Sequence, residues 1–192
     1  MDTQIWDTLV ESMKNAYTAG LSEGAVPRPV IMPLVRGELV GLIRVRPTSA
    51  GRDAQTGIAQ LSNIAAAAGA DEVVLVWETH DVATACQLPV TGPAPCLNMV
   101  HATKDGGHVL HQLPYTEQAS SPHSPEDQSS AAPHWLPAPE PRPGAELVPP
   151  IRAAVDFSFT PLEMDHPSPF GVTVVLMEED GYNIRLTDTF TP

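Results

Sequence analysis

Five apolar residues in a row, Val73-Val74-Leu75-Val76-Trp77, constrain this chain more than any other stretch. An apolar run that does not alternate suits a strand covered on both faces, because a strand with one wet face shows a polar residue at every second position. Upstream, Ile58, Leu61, Ile64 and Ala65 recur at helical spacing, with Asp53 placed to cap the start and Gly69 to take the left-handed stop. The spacing therefore predicts a helix that ends at Gly69 and feeds a central strand, with the rest of the chain wrapped around it. Ala65 to Ala68 are small enough to let that helix lie close to the sheet, and alanine offers no chemistry of its own.

Around this pair the chain reads in order. Thr3 to Leu21 form an amphipathic helix with Trp6, Val10, Met13 and Tyr17 down one stripe. Val30 to Val35 and Glu38 to Arg46 read as a hairpin through Arg36-Gly37, and Leu97 to Thr103 with His108 to Tyr115 as a second around Lys104 to Gly107. Ten of the 21 prolines lie from Pro114 to Pro150, interleaved with serines, and proline removes amide donors while few apolar side chains offset ordering entropy there. Beyond it, Ile151 to Phe159 alternates, and Val172 to Met177 with Tyr182 to Phe190 reads as a third hairpin across Asp180-Gly181. The expected organisation is an α+β core over residues 1–116, a Pro/Ser-rich linker or excursion over 117–147, and a three-stranded antiparallel unit over 148–192 packing on the core. The fold class is α+β: a mostly antiparallel sheet of hairpins carrying two main helices, plus a C-terminal three-stranded meander.

The order helix, hairpin, helix, strand, hairpin resembles the profilin-like arrangement of roadblock and longin domains. The string from Gly51 through Ala70-Asp71-Glu72-Val73-Val74-Leu75-Val76-Trp77-Glu78, together with Gly107-His108-Val109-Leu110-His111-Gln112-Leu113-Pro114-Tyr115, is similar to small uncharacterised proteins of high-GC actinobacteria and their phages. The similarity covers roughly Val30 to Tyr115. It brings no catalytic residue to carry over, and it implies an accessory protein.

The formal charge of −13, with only 10 Lys and Arg, argues against a nucleic-acid partner, since each neutralised phosphate needs a cationic side chain. The longest apolar runs fall far short of the roughly 20 residues of a membrane helix, and the first residues show no basic region followed by an apolar run. A soluble, cytoplasmic protein is expected, with Cys86 and Cys96 as free thiols.

Four of the seven histidines, His80, His101, His108 and His111, fall on or beside the middle strands. A turn of two residues would put His101 and His108 on one face, and a turn of three would set His101 opposite His111. With Glu78 or Asp81 at the end of the neighbouring strand, the set His80, His101, His111, Glu78, Asp81 forms a candidate zinc site with a position left for water. Two metal-enzyme patterns fail: Glu78-Thr79-His80 reverses the His-x-Glu of cytidine-deaminase-like enzymes, and His108-x-x-His111 is not the His-x-His of JAB-type isopeptidases. The leading expectation is a non-enzymatic accessory or protein-interaction module without cofactor, which binds a protein partner or a second copy of itself. Trp135 and Leu136 serve there as a tether or a recognition element. The alternative is a metal-dependent hydrolase at the histidine and carboxylate set, and a third option is a small-molecule pocket between the sheet and the N-terminal helix.

Overall fold

The computed structural model describes residues 2–23, 25, 27–117, 133–188 and 190. In chain order the elements are α1 (Thr3–Ser22), β1 (Val30–Val35), β2 (Glu38–Leu39), β3 (Gly41–Arg44), α2 (Arg52–Ala59), α3 (Ser62–Ala68) and β4 (Glu72–Glu78). They continue with α4 (Thr79–Cys86), β5 (Cys96–Thr103), β6 (His108–Glu117), β7 (Pro133–Trp135), β8 (Arg142–Pro143), α5 (Pro149–Ser158), α6 (Pro169–Glu179) and β9 (Asn183–Leu186). The strands form one sheet in the order β7-β6-β5-β4-β1-β3-β9, with β2 on β1 and β8 on β6. The fold is α+β, and the sheet is antiparallel throughout.

β4 lies mid-sheet between β1 and β5. Its alternate side chains enter two separate cores: Val73, Leu75 and Trp77 on one face, Val74 and Val76 on the other. All five are buried, which explains why the run has no polar residue. Fully burying a side chain of this size contributes about 1.5–3 kcal/mol, so β4 anchors both layers.

α1 covers the second face. Its Asp2 side chain accepts from the Gln4 N–H at 2.7 Å as an N-cap. The stripe of Trp6, Leu9, Val10, Met13 and Tyr17 packs on Met32, Val74, Met99 and their neighbours. Below it the Tyr17 and Tyr115 hydroxyls meet at 2.9 Å in the buried layer.

Helices α2 to α6 cover the opposite face. In α2 and α3 the buried positions Ala54, Gly57, Ile58, Leu61, Ile64 and Ala65 keep one helical face, although the helix breaks at Gln60 and Leu61. The Gly57 carbonyl at that break is taken by the Tyr182 hydroxyl at 2.9 Å. Gly69 adopts the left-handed conformation that stops α3, with φ 66°. Asp53 does not cap α2, whose N-cap is Gly51; its carboxylate instead accepts from the Ser49 N–H and from Arg46. Cys86 and Cys96 are buried and unbonded. Among the described residues no helix is long and apolar enough to cross a membrane.

Two expectations are corrected. The C-terminal part is not a three-stranded meander: Ile151 to Phe159 lies almost wholly in α5, and Val172 to Met177 lies in α6. Prolines at the first turns of both helices suit this, because the missing N–H is unpaired there anyway. Only the last strand remains, as β9, and it pairs with β3 at the sheet edge, Ile43 opposite Ile184. Of the expected linker over 117–147, residues 118–132 lie outside the described residues. Its second half is packed: β7 and β8 both pair with β6, and Ala145 and Leu147 are buried in the helical core.

Candidate functional site

The strand register sets out a row of three side chains on the helix-covered face. Trp77 of β4 stands opposite Asn98 of β5, and Asn98 opposite Gln112 of β6. The next row on that face is Leu75, Val100 and Leu110, with Arg142 of β8 beside Leu110. The loop after α4 and the segment leading into α5 rise on two sides. They enclose a cavity of about 360 Å3 floored by Trp77, Asn98, Leu110 and Gln112, with Arg142 and Glu146 at its mouth. This is within the range of small-molecule sites, and its lining mixes polar side chains, among them Thr79, Asn98, Gln112, Arg142 and Glu146, with apolar ones.

The polar groups form one connected ladder. Asn98 Nδ2 donates to Thr79 Oγ1 at 2.8 Å and to the Cys96 carbonyl at 3.2 Å, and Gln112 Nε2 donates to Asn98 Oδ1 at 3.3 Å. The Thr79 hydroxyl in turn donates to the Cys96 carbonyl at 3.3 Å. Beneath it, Glu78 caps α4: its two oxygens accept from the Asp81 N–H at 2.8 Å and the Cys96 N–H at 3.0 Å. One carboxylate thus ties the start of α4 to the start of β5 and fixes one end of the cleft. Burial pushes the Cys96 thiol up to about 11, so it stands protonated and unreactive at neutral pH.

The residues proposed as a zinc set are dispersed. His101 and His111 lie on the α1 face, where the Trp6 ring sits 5.9 Å and 4.3 Å from their rings, and His101 Nε2 meets Glu72 at 2.6 Å. Glu78 stands at the far end of β4 from Glu72, roughly 20 Å away at 3.3 Å per residue. Asp81 and the exposed His80 are on α4 beside it. Among the described residues no three His, Cys, Asp or Glu side chains group as a metal would need. Neither expected histidine pairing forms: His101 faces Val109 and His108 faces Ala102, because the Thr103 N–H donates to the Gly107 carbonyl at 2.9 Å and the turn is made by Lys104 to Gly106. His108 instead bonds the Ala145 carbonyl at 2.8 Å.

Burial holds the His111 imidazole below its usual value, and the nearby His101 charge adds to this. The folded state thus prefers His111 neutral. Its contribution is complete above the ordinary value of about 6.5 and is lost as pH falls through the lower folded value. Urea melts at pH 7.5 and 5.5 should therefore show a shallower pH dependence for His111→Gln than for the wild type; equal slopes would contradict the assignment.

Trp135 packs inward, its ring 5.4 Å from Tyr115 and 6.2 Å from Tyr17, while Leu136 is exposed. A second cavity of about 370 Å3 lies beside α1 between Ile5, Leu9, Met32 and Leu39. Its rim hydroxyls on Thr8 and Ser12 bond back to α1 carbonyls, which leaves that groove little to orient a ligand. Asn98, Gln112 and Thr79 were not singled out by sequence. The signal present is an amide flanked by apolar neighbours, Leu97-Asn98-Met99 and His111-Gln112-Leu113, in strands expected to be buried. No family model, curated protein or solved structure matches this chain.

Proposed function

We propose that this chain is a non-enzymatic binding module whose working surface is the cleft over β4, β5 and β6. The observation that carries this is the chemistry of the cleft floor: two carboxamides and an indole, groups that hold and orient a partner molecule. Nucleophilic catalysis requires a nucleophile within reach of a base. The Thr79 hydroxyl is instead engaged between Asn98 and the Cys96 carbonyl, and the neighbouring thiol is held protonated. The cleft takes precedence over Trp135 as the contact site because that ring is already occupied by Tyr17 and Tyr115.

Protein labelled with nitrogen-15 and titrated with a fragment set of amides, carboxylates, amines and aromatic rings tests this. Saturable shifts should converge on the backbone amides of Trp77, Asn98 and Gln112 and on the Trp77 indole. Saturable shifts confined to the groove beside α1, or none at all, would remove the proposal.

A further inference from the structure

We propose that the cleft takes up a free α-amino acid, held at the mouth by its ammonium and carboxylate with an apolar side chain inside. This assignment rests on the reading of the cleft as the working site and adds the chemistry of what enters it. Two opposite charges on one rim carry it. Arg142 and Glu146 both line the cavity, both are exposed, and among the described residues neither side chain is ion-paired or hydrogen-bonded, to the other or to any third group. Their backbone is held in place. Arg142 pairs with Leu110 across the β8 and β6 ladder, the Gly144 N–H donates to the His108 carbonyl at 2.9 Å, and the Ala145 carbonyl accepts from His108 Nε2 at 2.8 Å. Ala145 and Leu147, on either side of Glu146, are buried in the helical core, which leaves the Glu146 side chain at the mouth.

Either charge alone would select a different ligand. A guanidinium selects an anion, but Glu146 on the same rim and the net charge of −13 oppose one. A carboxylate selects an amine, which Arg142 opposes in turn. A zwitterion answers both side chains and, having no net charge, is not repelled by the molecule as a whole. Its charged groups stay at the wet mouth, which avoids the cost of burying them. The interior suits an apolar side chain: Trp77 and Leu110 lie at the floor, Leu88 and Pro89 along the loop after α4, Leu147 and Pro149 along the entry to α5. The Asn98 and Gln112 carboxamides are bonded to one another, so the floor calls for no charge on what lies against it. The volume of about 360 Å3 admits an amino acid with a branched or aromatic side chain.

Calorimetric titration of the wild type, Arg142→Gln and Glu146→Gln with L-phenylalanine, L-phenylalaninamide and N-acetyl-L-phenylalanine at physiological ionic strength tests this. The wild type should bind phenylalanine saturably and each derivative at least about fivefold more weakly, the effect of losing one charge-assisted contact at a partly wet rim. Arg142→Gln should bind phenylalanine and phenylalaninamide alike while still disfavouring the N-acetyl compound. Glu146→Gln should bind phenylalanine and N-acetylphenylalanine alike while still disfavouring the amide. Equal affinity of the wild type for all three, or a preference that survives in the variant meant to remove it, overturns the assignment. Both side chains are exposed, so the variants should keep the wild-type melting midpoint; if one fails to fold, the wild-type ranking of the three compounds decides. Should neither L-phenylalanine nor L-leucine bind while other fragments still map to the cleft, the amino acid is wrong and the binding module stands; if nothing enters the cleft, both fall.

Discussion

Leu75→Ala should lower the unfolding free energy by about 2–5 kcal/mol, read from urea melts with an unchanged denaturant slope. Leu75 has no exposed surface and sits in mid-strand between Ile31 of β1 and Val100 of β5. The strands on either side are pinned by their ladders and the helices above by their own packing, so the space left by truncation cannot close. That residual cavity adds to the lost transfer energy. Leu186→Ala on the edge strand β9 is the control: its side chain is 43% exposed, and its loss should cost less than about 1 kcal/mol. Similar losses at the two positions would mean that β4 is no more central than β9.

Glu78→Ala should be nearly as severe, at about 2–5 kcal/mol. Glu78 is 2% exposed, and its two oxygens serve two backbone donors, Asp81 N–H and Cys96 N–H. Alanine strands both, and each unmet buried donor costs about 1–3 kcal/mol. Glu78→Gln keeps one carbonyl oxygen and should cost roughly half as much. Because the carboxylate joins α4 to β5, the loss should be local as well as global. Amide exchange in α4, whose first turn the carboxylate caps, should accelerate more than in α1, whose N-cap is Asp2. Uniform acceleration across both helices would show that Glu78 contributes only to overall stability.

What the sequence reveals here follows from how much each signal depends on distant partners. The β4 run and the stripe of α1 are local patterns whose periods already state how many faces are covered, and both elements form where the pattern lies. Ile151 to Phe159 misleads because Ala153, Val155, Phe157 and Phe159 alternate as in a strand. The packing instead uses Ile151, Ala154, Val155 and Ser158 at helical spacing, and Phe157 is left 57% exposed. Val172 to Met177 is a short apolar run, which a buried strand and a helix share; Phe170, Thr173 and Met177 show the helical choice only once the core is known. The zinc set illustrates the same limit. Glu72 and Glu78 are six residues apart in sequence but stand at opposite ends of one strand, so His101 finds Glu72 while Glu78 turns to α4. The row of Trp77, Asn98 and Gln112 depends on the register of three strands, which no single segment encodes.

The polar row across β4, β5 and β6 turns on which way the Gln112 carboxamide points, and side-chain amide NMR of the free protein reads it directly. One Gln112 Nε2 proton should be hydrogen-bonded to Asn98 and slow to exchange, the other open to the cleft and fast, while both Asn98 Nδ2 protons are protected. A fast-exchanging Asn98 amide group with its oxygen turned from Gln112, or two equivalent Gln112 protons, would mean the ladder runs the other way.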